Sequence, residues 1–528
     1  MSVIQRSFIP LYKGVKKGNK YLTLTTRLIT SPALNNTEQI ELIKSATDTS
    51  QSKSNWLNFK NNILCKQGNL NEKNIDAVLL KTMVANKKFN AALSFANYLQ
   101  LSDCELSIGA INSLLNLYYE YSKENELSET EKTFILSTYT HLYEKYKVLD
   151  SVTCEKLLHA LCAINEWKKC MRVLDDIQLT GTPSHSAYST LIGTFFKNNK
   201  KAEAMKMIEI SENNRRPLKD YAYEEWMKYI FRKYKDKKTI LKYLNELCNH
   251  VSKNGTVVPE ATAHRLKESY ESINWNVKFT EIKKDRGQCK NCNHTLDCLR
   301  LTTEEFTTLQ QNIKEKLIVG SDLFLKTSPD ELERFMDFVG RTAPYDIVLD
   351  ALNIAYVAGR GDVNDRVRLL TTVVNHFLQK KKKILLLGRK HMLKWKRGTL
   401  LQLTKNTQSF FTENLTQDDP YFITAAILSG PHTDIVSRDL LRGHKFLMQH
   451  EELRQLFQRW QWEHQWTIFP NRYRPIIQEP LKFTPIAQRS NTGWHLPYEV
   501  ENSSTFGQIK DGVPDVSSWL CMRQKLNN

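Results

Sequence analysis

Apolar residues recur at helical spacing through the first half of the chain. Residues 75–100 and 110–144 each predict a pair of amphipathic helices. Three further segments, VTCEKLL (152–158), SAYSTLI (186–192) and YAYEEWM (221–227), follow one another 34 and then 35 residues apart, and each opens a helix that a second helix follows. Because one such pair cannot bury its apolar face alone, the pattern predicts a stacked helical solenoid.

The second half of the chain changes to short apolar runs separated by helical segments. YDIVLD (345–350), KILLLG (383–388), QSFFT (408–412) and TDIVS (433–437) are typical of buried strands. Strands that alternate with helices indicate a parallel α/β sheet, so we predict a multidomain α plus α/β protein.

Acidic residues follow three of these strands, where sites in parallel sheets lie. Asp350 ends the first strand, Asp418 and Asp419 open the helix after QSFFT, and Asp439 comes soon after TDIVS. Clustered carboxylates repel one another, so they must protonate or recruit cations, and hard oxygen ligands suit Mg²⁺ or Mn²⁺. Two such ions could hydrolyse a phosphodiester. Each acid alone has a simpler interpretation as a helix N-cap, least so Asp350, which ends a buried strand.

The formal net charge of the 528 residues is +18, with 75 Lys and Arg against 57 Asp and Glu. This balance favours a polyanionic partner, nucleic acid first and an anionic membrane surface second. No apolar run reaches the roughly 18 residues of a membrane-spanning helix, which argues against insertion into a membrane. The basic run 380–383 and the segment RKHMLKWKR (389–397) are candidates for holding a phosphate backbone beside the acids, although a solvated helix face explains them nearly as well.

The N-terminal segment suggests a location. The first acidic residue is Glu38, and six basic residues are scattered before it among Ser, Thr and apolar residues. This composition predicts a mitochondrial transit peptide over 1–37, with a basic RNA-binding arm as the alternative. The 10 cysteines would then lie in a reducing compartment, where metal ligation or burial is expected rather than disulfides.

Cys289 and Cys292 have the spacing of two thiolates on one tetrahedral ion. The other half of the site is either local, from His294 or Cys298, or distant, from residues near the C-terminus. We favour the distant pair, which is His495 and Cys521, because local ligands would compress the loop and loop closure costs rise only logarithmically with length. Buried thiols without a metal are the simpler alternative. A four-ligand site would be structural, with no open position for catalysis.

Residues 186–217 resemble a pentatricopeptide repeat, including the early Tyr188 and the small Ala202 and Ala204. The resemblance implies RNA binding, with a polar side chain near the fifth position of each repeat reading a base. The residues at that position are Glu155, Ser189 and Glu224, and two acids are poor choices for a strict code. A scaffold for protein contacts is the alternative.

The order of motifs is more specific than any one of them. Repeats, CKNC, YDIVLDALN, TQDDPYFITAAIL, DIVSRDLLRGHKF, WHLP and a final Cys together resemble protein-only ribonuclease P of the animal mitochondrial type over about 75–521. The resemblance implies a NYN (PIN-like) metallonuclease that removes the 5′ leader of precursor tRNA with activated water, leaving 5′-phosphate and 3′-hydroxyl ends. It implies a catalytic subunit, monomeric within its complex, that works in the mitochondrial matrix with a tRNA methyltransferase and a short-chain dehydrogenase.

Residue by residue, the resemblance makes Asp350, Asp418, Asp419 and Asp439 the ligands of two Mg²⁺ ions and makes Cys289, Cys292, His495 and Cys521 the ligands of one Zn²⁺ ion. His444 matches a histidine close to the site, and Arg360 and Arg438 are candidates for contacting phosphate. Two positions depart from the family pattern: Ala351 stands where Gly is usual, and Gly443 stands where an acid is often seen. Neither is a proposed ligand.

The predicted domains are a transit peptide (1–37), a linker or irregular N-terminal segment (38–73), a repeat domain (74–251), a split zinc-binding connector (252–300 and 485–528) and the nuclease domain (301–484). The alternative function is an RNA-binding or assembly protein whose nuclease domain is inactive or differently targeted.

Overall fold

The computed structural model describes part of the chain, and the predicted transit peptide lies outside it. The described residues are 41, 44, 53–65, 70–102, 105–214, 216–318, 329–357, 359, 362–395, 397–413, 419–437, 451–469, 475–500 and 517–525. They form two compact units, Met1–His141 and Leu142–Asn528. Of the helices in these ranges, none is both long enough and apolar enough to cross a membrane.

The first half of the described chain is helical, and the predicted helical pairs are confirmed. The helices are α1 (Lys53–Leu64), α2 (Ile75–Ala85), α3 (Phe89–Gln100), α4 (Ile108–Tyr121), α5 (Glu129–Lys145), α6 (Ser151–Ala163), α7 (Trp167–Thr180), α8 (His185–Lys197), α9 (Lys201–Asn213), α10 (Asp220–Lys233) and α11 (Lys237–Asn254).

Local sequence explains where these helices begin and turn. The side chains of Asp150 and Ser184 accept hydrogen bonds from the first backbone amides of α6 and α8, which otherwise lack partners. Asn165 and Asn199, with φ of 61° and 59°, make the tight turns inside two pairs. Asparagine tolerates this left-handed conformation better than most residues, so each pair closes within a short loop.

In the second unit the first helices of successive pairs lie side by side. Helix α8 packs against both α6 and α10. The approach is close at Gly193, where an added Cβ would lie 2.4 Å from the ring of Tyr221. Helix α10 in turn packs on α12 (Glu260–Ser272), which joins the array to the sheet that follows.

That sheet is built from two distant parts of the chain. Its strands are β1 (Val258–Pro259), β2 (Trp275–Thr280), β11 (Gln488–Ser490), β12 (Gly493–Glu499) and β13 (Trp519–Gln524). The order is β1-β12-β13-β2, with β11 paired to β12. A small hairpin of β3 (Ile282–Lys283) and β4 (Gln288–Cys289) lies after β2 in the chain. The C-terminal strands therefore return to the segment that precedes the nuclease region.

The predicted α/β region is confirmed as a six-stranded sheet. Its strands are β5 (Ile347–Asp350), β6 (Ile384–Arg389), β7 (Gln408–Thr412), β8 (Asp434–Val436), β9 (Gln465–Phe469) and β10 (Ile476–Gln478). Its helices are α13 (Thr303–Ile318), α14 (Pro329–Thr342), α15 (Ala351–Ala355), α16 (Val363–Gln379), α17 (Arg397–Asn406), α18 (Asp419–Ser429) and α19 (Glu451–His464), with a 3₁₀ turn at Lys390–Lys394.

The strand order is β10-β9-β8-β5-β6-β7, parallel except for β10. Successive residues of β5 point to opposite faces: Val348 belongs to one apolar core, whereas Ile347 and Leu349 belong to the other. Since helices cover both faces, the strands are apolar throughout. Strands β9 and β10 were not predicted.

The division between the two compact units falls inside α5, which lies within the predicted repeat domain 74–251. The solenoid helices from α6 onward, the split sheet and the α/β sheet all belong to Leu142–Asn528. The domain boundaries derived from the sequence stay predictions.

Candidate functional site

Asp350 is a buried acid at the carboxyl end of the central strand β5. Its side chain is only 4% exposed. One carboxylate oxygen accepts a hydrogen bond from the Asn353 backbone N–H at 3.0 Å, and the other accepts from the Asn353 amide and from the Ser437 hydroxyl, the latter at 3.2 Å. These donors fix the orientation of the carboxylate and offset part of the cost of burying it.

The position of Asp350 coincides with a switch in strand order. From β5 the chain moves outward through β6 and β7 and then returns to the other side of β5 as β8. Connections diverge at such a point and leave a crevice beyond the carboxyl ends of the two strands, where ligands bind in open α/β sheets. Asp350 lies at one wall of this crevice and Ser437, directly after β8, at the other.

A second buried acid lies beyond the carboxyl end of β7. Glu331 is 1% exposed and accepts a hydrogen bond from the Glu413 backbone N–H at 2.6 Å. Glu413 directly follows β7, two strands away from β5, which is a separation of about 10 Å. Glu331 therefore anchors the chain just before the segment that carries Asp418 and the N-terminus of α18.

Several predicted site residues lie outside the described residues. They are Asp418, Asp439, His444, Arg360 and Arg438, together with the side chain of Asp419, whose backbone begins α18. Their roles stay predictions. Of the two departures from the family pattern, Gly443 also lies outside the described residues. Ala351 opens α15 and is absent from the positions with positive φ, so its backbone does not require glycine.

The four predicted zinc ligands come together. The candidate ligand atoms of Cys289, Cys292, His495 and Cys521 all lie within 4.8 Å of one another. His495 and Cys521 face each other directly in the β12–β13 ladder, and the Cys292 sulfur lies 3.2 Å from His495 Nε2. A tetrahedral zinc ion with Zn–S bonds of about 2.3 Å would separate its sulfurs by about 3.8 Å. Three thiols and an imidazole at this spacing fit that ion.

The electrostatics of this group also favour a cation. A hydrogen bond from Cys521 lowers the pKa of the Cys289 thiol well below its ordinary value, against the effect of burial. The same bond raises the pKa of the Cys521 thiol, and burial raises the pKa of Cys292. A divalent cation bound among them would let all three thiols ionise.

His294 and Cys298 were the local candidates for the second half of this site, and neither belongs to the four-residue group found among the described residues. The backbone carbonyl of His294 accepts a hydrogen bond from the Cys289 N–H at 2.8 Å, and its ring stacks on that of His495 with centroids 5.3 Å apart. The Asn291 amide, which the sequence did not single out, donates to the Cys521 sulfur at 3.3 Å.

Each of the three proposed base-reading residues contacts the helix that lies next to its own in the array, or the residue that directly precedes that helix, and for Glu224 this helix is α12. Glu155 accepts a hydrogen bond from the Ser184 N–H at 2.8 Å, and Ser189, which is 2% exposed, accepts one from the Lys219 N–H at 2.8 Å. Glu224 forms an ion pair with Arg265 at 3.2 Å. These side chains connect successive first helices, and their role in reading RNA stays a prediction.

The basic run 380–383 does not lie beside Asp350. It precedes β6, so it is at the amino edge of the sheet, opposite the acids. Lys380 pairs with Glu479 at 3.1 Å there. The expectation that this run flanks the acidic site was therefore wrong, because the run precedes a strand of the parallel sheet whereas the acids follow such strands, so the two lie at opposite edges. The segment after β6, which includes Lys390–Lys394, does lie at the carboxyl edge.

Two residues of the site were missed in the sequence. Ser437 was read as the end of a strand, and the polar residue at that boundary was the available signal. Glu331 lies in the first turn of α14, where an acid is expected simply because it complements the helix dipole. Nothing in its local sequence distinguishes it from such a surface acid.

Comparison with known proteins places this arrangement in a family. Residues 283–521 match the family model described as protein-only RNase P. The mitochondrial ribonuclease P catalytic subunit of Mus musculus is 32% identical over 407 residues, which cover 74% of this chain and 67% of that protein. The subunit of the same name from Rattus norvegicus is 30% identical over 409 residues, covering 74% of this chain and 66% of its own length.

The fold has a solved counterpart. The nuclear protein-only RNase P 2 of Arabidopsis thaliana matches with a TM-score of 0.51 at 16% sequence identity, covering 86% of this chain and 100% of that one. This similarity supports the shared fold. Together with the family model and the mouse relative, it leads to one conclusion: the chain belongs to the protein-only RNase P family of tRNA-processing endoribonucleases.

Proposed function

We propose that this protein removes the 5′ leader of precursor tRNA by hydrolysing one phosphodiester, leaving a 5′-phosphate and a 3′-hydroxyl. The observation that carries the proposal is the buried Asp350 at the strand-order switch, its carboxylate held by Asn353 and Ser437. An acid fixed in this way at the ligand-binding edge of an α/β sheet suits a metal ligand better than a surface cap.

Asp350, Asp418, Asp419 and Asp439 would hold Mg²⁺ or Mn²⁺, with two ions expected. Bound ions of this kind supply Lewis-acid chemistry that activates water and neutralises charge on the leaving oxygen. The donors on Asp350 hold its carboxylate in one orientation. Arg360, Arg438 and His444 would contact the phosphate, which orients the scissile bond.

Cys289, Cys292, His495 and Cys521 would hold one structural Zn²⁺. Four protein ligands leave no open position, so the ion would act on stability alone. It would tie the two ends of the chain that flank the nuclease region to one another, because β4 and β12–β13 come from opposite sides of that region in sequence.

The names of the mouse and rat relatives support a mitochondrial location, and we place the protein in the matrix. We further propose that it acts as a monomeric catalytic subunit together with a tRNA methyltransferase and a short-chain dehydrogenase. The net charge of +18 agrees with a polyanionic substrate.

The test is cleavage of a leader-bearing precursor tRNA by the full chain, with and without the two partner proteins. Cutting at the leader junction is expected to require a divalent metal. Asp350→Asn and the double variant Asp418→Asn/Asp419→Asn should each abolish it, whereas Asp337→Asn, on the exposed side of α14, should cut like the wild type. Residual cutting of more than a few per cent by either variant would contradict the proposed site.

The same experiment separates the alternatives. An unstructured RNA of equal length serves as a second substrate, and preferential cutting of it would point to another RNA target. Salt-sensitive binding of the precursor without any product, even with both partners present, would point instead to an RNA-binding protein with an inactive nuclease domain.

A further inference from the structure

Tyr356 is an exposed aromatic residue beside the candidate active site. Asp350 caps the N-terminus of the five-residue helix α15, and Tyr356 caps its C-terminus. At a rise of about 1.5 Å per residue the two Cα atoms are roughly 9 Å apart. The Tyr356 side chain is 41% exposed although the residues around it in α15 are buried. A large ring thus faces solvent a short distance from the carboxylate.

The ring is held in place rather than left free to rotate. Arg366, from the start of α16, donates a hydrogen bond from Nη1 to the Tyr356 hydroxyl at 3.0 Å, and its guanidinium carbon lies 4.1 Å from the ring centroid. Trp395, which is 8% exposed, packs edge-on with its centroid 6.1 Å from that of Tyr356. The Tyr356 N–H also bonds to the Leu352 carbonyl at 3.1 Å.

The cation in this arrangement is not neutralised. Among the described residues Arg366 has no carboxylate partner, and its guanidinium lies over both Tyr356 and Trp395. A tyrosine fixed on an arginine, with part of the ring open, is the kind of surface on which unpaired nucleobases stack. The nearby positive charge would attract the phosphate that follows the base.

We propose that Tyr356 and Arg366 form a stacking platform for an unpaired leader nucleotide next to the cut. The inference rests on the proposed function. It assigns the platform to the leader because the nucleotides on the other side of the cut are paired in the acceptor stem, where their faces are already stacked. Arg366 acts here as a positioning residue for the tyrosine, and Tyr356 contacts the substrate.

The test compares two precursors that differ only at the leader nucleotide adjacent to the cut, which is intact in one and abasic in the other. Single-turnover cleavage by the full chain with its partners gives the enzyme concentration for half-maximal rate. For the wild type, this enzyme concentration should be at least roughly 5-fold higher for the abasic precursor than for the intact one. For Tyr356→Ala both precursors should require this raised concentration, because the platform is already lost.

Tyr356→Phe should retain most of the difference between the two precursors, because it keeps the ring and the guanidinium over it and loses only the hydrogen bond to the hydroxyl. Tyr146→Ala, a change of a partly exposed tyrosine in the repeat region, should retain the full difference between the two precursors. The proposal is overturned if Tyr356→Ala keeps that difference, or if Tyr356→Phe loses as much as Tyr356→Ala. Failure of the wild type to cut even the intact precursor would contradict the proposed function itself.

Discussion

The Ser437 hydroxyl donates a hydrogen bond to the Asp350 carboxylate at 3.2 Å, joining the carboxyl ends of two adjacent parallel strands. Ser437 is fully buried, so this bond is shielded from water. It ties the orientation of Asp350 to the start of the segment that contains Asp439. The bond thus links one predicted metal-binding residue, Asp350, to the strand end that precedes the segment carrying another.

Ser437→Ala should raise the Mg²⁺ concentration for half-maximal cleavage about 10-fold, because residues that orient a metal ligand commonly contribute this much to affinity. Cleavage rates measured over a Mg²⁺ series give the value. Ser272→Ala, which removes an exposed hydroxyl from α12, is the matched control and should leave the series unchanged. A Ser437→Ala curve that overlays the wild type would separate Ser437 from the metal site.

Cys292→Ser should remove the bound zinc and lower the free energy of unfolding by more than about 3 kcal/mol, since loss of a structural metal is among the largest single-residue effects. Metal analysis and chemical denaturation measure the two quantities. Cys298→Ser is the control because Cys298 lies nearby in sequence but outside the four-residue group. Zinc retained by Cys292→Ser and lost by Cys298→Ser would reverse the ligand assignment.

The free energy of unfolding of the unit Leu142–Asn528, which contains His185, should fall as the pH drops below about 6.5, the ordinary pKa of histidine. Burial lowers the pKa of His185 in the folded state, and this effect outweighs the opposing hydrogen bond to the Pro217 carbonyl. The unfolded chain therefore binds the proton first, and stability rises with pH through this window.

Replacing this histidine tests that slope. His185→Gln should show a shallower loss of unfolding free energy between pH 7.5 and pH 5.5 in denaturation curves. Part of the slope should remain, because burial also lowers the pKa of His376. Parallel pH profiles for the variant and the wild type would argue against a contribution from His185.

Gly193→Ala should destabilise the protein by about 1–3 kcal/mol through overpacking, because its new methyl group would lie 2.4 Å from the Tyr221 ring between α8 and α10. Gly340→Ala is the matched control. It also lies in a helix, but nothing is within 4 Å of the added carbon, so a gain of about 0.5–1 kcal/mol is expected from helix propensity. Thermal unfolding distinguishes the two signs.

Local sequence was sufficient for much of this architecture. The apolar periodicity predicted the helical pairs. The apolar runs around Val348, Leu386 and Ile435 predicted the parallel strands, because burial on both faces requires continuous apolar residues. The sequence also identified Asp350 as an acid at a strand end, and it identified the three cysteines and one histidine that cluster as a candidate zinc site.

What the sequence by itself determined is the type of the helical pairs and of strands β5 to β8, together with the residues at their ends, since these follow from interactions between near neighbours in the chain. Only the tertiary structure decided that β8 returns beside β5, so that Ser437 meets Asp350, and that Ser189 and Glu155 contact the adjoining helical pair. Strand order and helix stacking depend on contacts between distant residues, and local periodicity carries no record of which distant partners meet.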